Sequence, residues 1–140
     1  MECKFTEQLR RDGYAIVPNV LTPAECDNLA TGFWNFWNTQ TDGLIQREDT
    51  STWKNIFKYF PNHGMLFQHW SIGHMQEIWD VRSNPNVKSV FESIWGTTDL
   101  TVSFDGASTG LAPEITGRGW HRDDWLHLDQ SPHRNEFECV

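Results

Sequence analysis

The chain has 140 residues, of which 38% are hydrophobic and 14% aromatic, including eight tryptophans. This composition is typical of one folded domain and excludes the disordered and fibrous classes. The formal net charge is −8 and lysine and arginine form no cluster, so phosphate backbones and anionic lipids are repelled and neither a nucleic-acid nor a membrane partner is expected.

The cysteines give information about compartment and metal content. Cys3, Cys26 and Cys139 form neither a CxxC pair nor an even framework, which argues against a disulfide scaffold and against a structural zinc site. The first residues lack the apolar core of a signal peptide, and no apolar run is long enough to span a bilayer. We therefore expect a cytoplasmic protein.

Two helices are predicted in the first forty residues. A short helix over residues 5–12 ends at Gly13. A second begins at the capping box of Thr22 and Glu25, and its apolar side chains recur at three- and four-residue intervals as far as Trp37. This spacing predicts a broad buried face, and packing accounts for its aromatic residues without a cofactor role.

The middle of the chain is predicted to be less regular. Residues 38–70 indicate a loop with short helical turns, followed by a helix near 73–81 and another that begins after Asn84 and ends at Gly96. Three histidines in this region have no partner at ligand spacing, so we interpret them as surface or core residues: His63, His69 and His74.

After residue 99 the pattern changes to β. Leu100–Phe104 alternates with period two, a turn is predicted at Asp105, and further β segments are predicted over residues 125–129 and 137–140. Helices followed by strands predict an α+β fold with helices packed on an antiparallel sheet.

One domain is therefore predicted over residues 1–140, with a helical part over 1–98 and a sheet over 99–140. Three strands make a small sheet with an unpaired edge, and the last predicted strand reaches the final residue. We expect an incomplete domain, or one that associates with another chain.

Two His-x-Asp triplets are the strongest candidates for chemistry. They are His121/Asp123 and His127/Asp129, with Trp125 on the same strand face as the second pair. On a strand, residues two apart project to one face, so an imidazole nitrogen and a carboxylate oxygen can reach the same cation. These are two of the three ligands in the two-histidine, one-carboxylate arrangement that binds ferrous iron. A motif this short also arises by chance, so its context has to decide.

The order of motifs resembles the phytanoyl-CoA dioxygenase family. Residues 12–25 are similar to its N-terminal signature, residues 102–106 to its first barrel strand, and residues 125–130 to its metal-binding His-x-Asp segment. The resemblance spans nearly the whole chain. It implies the first strands of a double-stranded β-helix of the jelly-roll or cupin type, Fe(II), 2-oxoglutarate as co-substrate, and hydroxylation of a small or lipid-like molecule.

Residue by residue, the resemblance assigns the first two iron ligands to His127 and Asp129, which we favour because Trp125 and Gln130 flank them as in the family. His121 and Asp123 are placed in a loop at the mouth of the pocket. The residues predicted to line this pocket are Ser103, Asp105, His121, Asp123 and Trp125.

Two functional residues of the family find no match. Its second histidine ligand and its 2-oxoglutarate-binding arginine lie on later strands, and His133 and Arg134 are too close to Asp129 to replace them. Catalysis is therefore expected only if a C-terminal half completes the fold.

The sequence leaves two alternatives open. One is a non-catalytic interaction or regulatory domain that keeps the family fold and self-associates through an exposed strand edge at the C-terminus. The other, less favoured, is a zinc hydrolase, which would need a third protein ligand at usable spacing.

Overall fold

The computed structural model describes residues 4–59, 66–117 and 133. In this part of the chain the α-helices are α1 Lys4–Asp12, α2 Pro23–Gln40, α3 Gln76–Arg82, α4 Pro85–Trp95 and α5 Pro113–Thr116. Two 3-10 helices occupy Thr50–Lys58 and Ile72–His74. Strands β1, Leu66–Phe67, and β2, Ala107–Ser108, form an antiparallel two-stranded sheet.

The helices follow the local sequence signals. α2 begins at the predicted capping box and runs three residues beyond Trp37 to Gln40. α4 begins after Asn84 and ends at Gly96, whose left-handed φ of 66° suits a residue without a Cβ. The helix predicted near 73–81 is instead a 3-10 turn followed by α3. The helical part of the fold was therefore largely predictable from caps and periodicity.

The strand predicted at Leu100–Phe104 is displaced to β2, and its partner β1 lies in the segment that was predicted to be a loop. Leu100–Phe104 pairs with no strand among the described residues, and pairing begins at Ala107, opposite Phe67. Gly106 explains this register, because a Cβ there would overlap the Phe67 carbonyl oxygen. The predicted turn at Asp105 is thus wrong, since the chain continues past Gly106 into β2.

The α+β class agrees with the mixture of helices and a small sheet. Two paired strands do not establish a double-stranded β-helix. The strands predicted over residues 125–129 and 137–140 lie outside the described residues.

The core is a small apolar cluster centred on Trp37, which is 2% exposed. Its ring makes edge contacts with Phe67 at 4.6 Å and Trp70 at 5.8 Å between centroids. Its indole N–H is buried without a hydrogen-bond partner in the described part of the chain. The buried members of the cluster come from α2 and the loop that follows it, the 3-10 helices, β1, α3 and the segment before α5: Trp37, Ile45, Ile56, Phe67, Ile72, Ile78 and Leu111.

The predicted broad buried face of α2 is only partly covered. Trp37 is buried, whereas Cys26 and Ala30 on the same face are exposed. They line a cavity of about 300 Å³ that also borders Leu111. The apolar residues of α4 are covered even less, since none of its side chains is fully buried.

One carboxylate joins the starts of two helices. Glu25 Oε2 accepts hydrogen bonds from the Thr22 amide at 2.7 Å and the Thr22 hydroxyl at 2.8 Å. Its Oε1 accepts from Asn84 Nδ2 at 2.7 Å. Asn84, 8% exposed, caps α4 by accepting from the Asn86 amide at 2.9 Å. The capping box of α2 and the N-cap of α4 therefore form one network.

The pKa of Glu25 is lowered from its ordinary value. The backbone hydrogen bond from Thr22 is the largest cause, followed by the Thr22 hydroxyl, with a smaller contribution from Asn84. All three donors favour the charged form of the carboxylate. The network is therefore strongest when Glu25 is ionised.

We expect Thr22→Ala to lower the free energy of unfolding by about 1 kcal/mol, because it removes the N-cap acceptor of α2. Urea unfolding at neutral pH measures this loss. Thr39→Ala is the matched control, since Thr39 lies at the other end of α2 and makes no side-chain hydrogen bond in the described residues. An equal loss in both variants would contradict a capping role.

We expect Glu25→Gln to be less stable than the wild type at neutral pH. A group with a lowered folded-state pKa stabilises above its unfolded pKa, and this contribution disappears as the pH falls through the folded pKa. The gap between variant and wild type should therefore close as the pH drops below 4.5, the ordinary value for Glu25. Unfolding curves at several pH values test this, and a gap that stays constant as the pH falls would contradict the role of the charged form.

Candidate functional site

The most connected polar side chain near the segment preceding β2 is Arg82, at the end of α3. Its guanidinium lies against the rings of Trp79 and Phe104, at 5.4 and 5.5 Å from their centroids, and the two centroids are themselves 6.1 Å apart. Its Nη1 donates to the Gly73 carbonyl at 3.0 Å and its Nη2 to the Asp105 carbonyl at 2.5 Å. The planar, five-donor guanidinium suits this combination of stacking and paired hydrogen bonds. Arg82 thus holds the backbone at residues 104–105 against α3.

Gly73 completes this contact. A Cβ at Gly73 would overlap the Asp105 carbonyl oxygen and approach the Phe104 ring within 3.0 Å. The absence of a side chain therefore lets the two backbone segments approach each other. Phe104 also contacts His74, with ring centroids 4.6 Å apart.

Asp105, one of the predicted pocket residues, has an exposed but engaged carboxylate. Its Oδ1 accepts from Gln68 Nε2 at 2.9 Å and from the Gly106 amide at 2.6 Å. The Gln68 hydrogen bond is the largest cause that lowers the pKa of Asp105, followed by the Gly106 amide, with the charge of Arg82 adding to both. Asp105 is therefore held as an anion beside β1.

Ser103, the second predicted pocket residue in the described part, is exposed and lies on a groove of about 550 Å³. This groove runs between α4 and residues 100–103, and Arg82 and Lys88 border it. Asp105 is not among its walls. Ser103 therefore shares a groove with Arg82, whereas Asp105 is hydrogen-bonded to Gln68. The two predicted pocket residues do not line the same cavity.

The predicted metal ligands His127 and Asp129 lie outside the described residues, as do His121, Asp123 and Trp125. Within residues 4–59, 66–117 and 133, no group of three histidine, cysteine, aspartate or glutamate side chains is close enough to hold a metal ion. The iron site therefore stays a prediction carried by the sequence.

The histidines of the middle region lie at the surface where the structure describes them. His69 contacts Trp70 with ring centroids 6.0 Å apart, and His74 lies against Phe104. His63 lies outside the described residues.

Arg82 was not found by the sequence analysis. One signal was present: Trp79 and Arg82 are three apart on a helix, a spacing that brings two side chains together. The other partners, Gly73 and Phe104, are distant in sequence and gave no sign of a shared contact. Motif reasoning therefore identified Ser103 and Asp105 and missed the residue that holds their segment.

The helices in the described part of the chain include none long and apolar enough to cross a membrane.

Comparison with known proteins decides the family. The sequence model of the phytanoyl-CoA dioxygenase family matches residues 9–139. The chain belongs to the phytanoyl-CoA dioxygenase family. The matched span includes the segment with His127 and Asp129, so the resemblance inferred from the motifs is confirmed at the level of the family.

Two curated proteins that are similar to this chain are much longer than it is. The Ava biosynthesis cluster protein O of Aspergillus versicolor is 25% identical over 136 residues, which cover 97% of this chain and 42% of that protein. A Dictyostelium discoideum protein, named provisionally as a phytanoyl-CoA dioxygenase, is 27% identical over 131 residues, which cover 91% of this chain and 36% of that protein. The chain thus spans less than half the length of either relative. No solved structure matches it with statistical significance.

We expect Arg82→Lys to lower the free energy of unfolding by about 1 to 3 kcal/mol, because lysine cannot donate in the same fork or lay a planar group against the two rings. Amide hydrogen exchange at residues 105–108 should also become faster. The matched control is Arg47→Lys, which alters an exposed arginine bonded to Thr31 Oγ1 at 3.1 Å and should change stability by less than about 0.5 kcal/mol. Unchanged exchange in Arg82→Lys would show that Arg82 does not hold this segment.

Proposed function

We propose that this chain is the N-terminal part of an Fe(II)- and 2-oxoglutarate-dependent dioxygenase that hydroxylates a small or lipid-like substrate. The observation that carries the proposal is the family match, which continues through His127 and Asp129 to residue 139. A match limited to the helices would have supported the fold without the chemistry.

Two side chains of this chain would hold the iron: an imidazole nitrogen of His127 and a carboxylate oxygen of Asp129. When bound, iron and 2-oxoglutarate supply the oxidation of a C–H bond by molecular oxygen. Both ligands must be deprotonated to bind, so iron affinity should fall in acid. The second histidine and the arginine for 2-oxoglutarate are proposed to come from a C-terminal half, as the greater length of the relatives supports.

The described residues would shape the substrate side of this site. Ser103 borders the groove beside α4, and Arg82 fixes the backbone two residues further on. We propose that Ser103, His121, Asp123 and Trp125 line the pocket, whereas Asp105 lies outside the groove that Ser103 borders and holds Gln68 instead.

The proposal is tested by comparing iron binding in variants of the two His-x-Asp triplets. The 140-residue chain is titrated with Fe(II) under nitrogen and bound iron is measured by equilibrium dialysis. We expect weak binding to one site, because only two protein ligands are present. His127→Ala and Asp129→Ala should each weaken it at least about tenfold, the scale of losses seen when a metal site is disturbed.

His121→Ala and Asp123→Ala are the matched controls, since they alter the same motif six residues earlier and should leave iron binding unchanged. Binding that depends on His121 instead would move the iron site to the first triplet. Binding that none of the four variants reduces would remove the proposed site altogether.

Turnover separates an enzyme from a protein that only binds iron. Oxygen-dependent release of succinate from 2-oxoglutarate, measured with saturating iron, reports the first half of the reaction. We expect none from the 140-residue chain by itself, and succinate from a protein that also carries the C-terminal half. A longer protein that binds iron and forms no succinate would contradict the dioxygenase proposal.

A non-catalytic interaction domain is the second candidate function. The observation that favours it is the pair of exposed apolar side chains Val102 and Phe104, which are 52% and 56% exposed. Such surfaces usually bind another polypeptide.

A further inference from the structure

A cavity of about 300 Å³, the α2 cavity, is bordered by α2 and by the chain between β2 and α5. The part of its wall that α2 supplies is mainly apolar and includes the rings of Phe33, Trp34 and Trp37. Cys26 and Ala30 also border the cavity and are exposed, so a molecule can enter it from solvent.

The aromatic part of the wall is held in place by other rings. Trp34 packs on Trp53 with ring centroids 4.8 Å apart. Trp37 is 2% exposed and makes edge contacts with Phe67 and Trp70. Small-molecule sites are usually formed before the ligand binds and are lined mainly by apolar and aromatic side chains with a few polar groups. The α2 cavity has this character, and its fixed rings offer faces and edges to a second aromatic molecule.

The chemistry of the wall favours a neutral ligand. The described residues that line the α2 cavity include no acidic, basic or histidine side chain. An ion that entered would lose its hydration without gaining an oppositely charged partner there. The polar groups of the wall are the thiol of Cys26 and the hydroxyls of Ser108 and Thr109. Neither hydroxyl makes a hydrogen bond in the described part of the chain, so both can donate to a ligand.

The volume of the cavity limits the size of the ligand. An apolar cavity of about 150 Å³ accommodates benzene. The α2 cavity, at about 300 Å³, therefore has room for about two fused rings.

We propose that the α2 cavity binds a small, neutral aromatic molecule of about two fused rings, with one polar atom that accepts a hydrogen bond from the Ser108 or Thr109 hydroxyl. The site goes beyond the dioxygenase chemistry, because it needs no iron. Among the described residues, its wall also shares no member with the groove beside Ser103.

Amide NMR titrations of the 140-residue chain with three fused-ring probes test the proposal. Quinoline carries a ring nitrogen that accepts a hydrogen bond, naphthalene has the same shape without an acceptor, and 2-naphthoate adds a negative charge. We expect quinoline and naphthalene to bind saturably and to shift the amide signals of α2. The dissociation constant of 2-naphthoate should be at least about tenfold higher than that of quinoline, because the described wall offers no cation.

Two sets of variants locate the ligand and its polar contact. Ala30→Leu fills the α2 cavity and should weaken quinoline binding about tenfold or more. Ala24→Leu is the matched control, since Ala24 is an exposed alanine of the same helix that does not line the cavity. The double variant Ser108→Ala/Thr109→Val should weaken quinoline about two- to tenfold, the range for one hydrogen bond. It should leave naphthalene unchanged, because naphthalene has no acceptor.

Alkylation of Cys26 gives a second measurement of position. In a background with Cys3 and Cys139 replaced by serine, Cys26 is the remaining thiol. Saturating quinoline should slow its reaction with N-ethylmaleimide at least about threefold, because the thiol borders the α2 cavity and its reactivity depends on access. The same concentration of quinoline should give no protection in Ala30→Leu.

Far-UV circular dichroism and thermal unfolding check that the variants remain folded. The proposal is overturned by the absence of saturable quinoline binding, by an equal effect of Ala30→Leu and Ala24→Leu, or by full reactivity of Cys26 with quinoline bound. A double variant that weakens both neutral probes equally overturns the hydrogen bond. Binding of 2-naphthoate as tight as that of quinoline overturns the neutral class of ligand.

Discussion

The carboxylate of Glu25 links the two helical parts of the structure. It closes the capping box at the start of α2 and accepts a hydrogen bond from Asn84, which caps α4. α2 supplies Trp37 to the core, and α4 forms one wall of the groove that residues 100–103 also line. This ionised side chain therefore joins the starts of α2 and α4, in addition to the packing of both helices on α3. Because its partners are a backbone amide, a hydroxyl and an amide group, the link needs no opposite charge.

Arg82, which also borders the groove, makes a second set of contacts between a helix and the rest of the chain. It fixes the backbone of residues 104–105 to the end of α3, and Gly73 and Gly106 allow the close approach of main chains on either side. These contacts hold the start of the sheet against the helices. They involve residues 23 to 39 positions apart along the chain, so they are properties of the folded protein and not of any one segment.

The features that the sequence could predict are those formed by residues close together along the chain. Thr22 with Glu25, Asn84 with Pro85, and Gly96 are local signals, and each marks a helix end where it was expected. The strand predicted at Leu100–Phe104 was misplaced because alternation alone does not fix register. The approach of Gly106 to the Phe67 carbonyl fixes it, and that contact joins residues far apart in sequence.

The candidate site also has one part that the sequence could predict and one part that it could not. The family was recognisable from the order of its motifs, and the match over residues 9–139 agrees with it. The geometry around Ser103 and Asp105 was not predictable, because it depends on Arg82 and Gln68 from other elements. The assignment of iron to His127 and Asp129 stays a prediction from motif and family, since those residues lie outside the described part of the chain.

The buried indole N–H of Trp37 has a consequence for the lifetime of the protein in a cell. A buried donor without an acceptor costs about 1 to 3 kcal/mol, while the total stability of a domain is only about 5 to 15 kcal/mol. Among the described residues, Trp37 also belongs to a core with few fully buried side chains. One uncompensated donor is thus a large fraction of such a total, and the cellular abundance of a protein with a small stability reserve is controlled by proteases and chaperones. Its steady-state level should therefore respond strongly to any partner or ligand that binds only the native form.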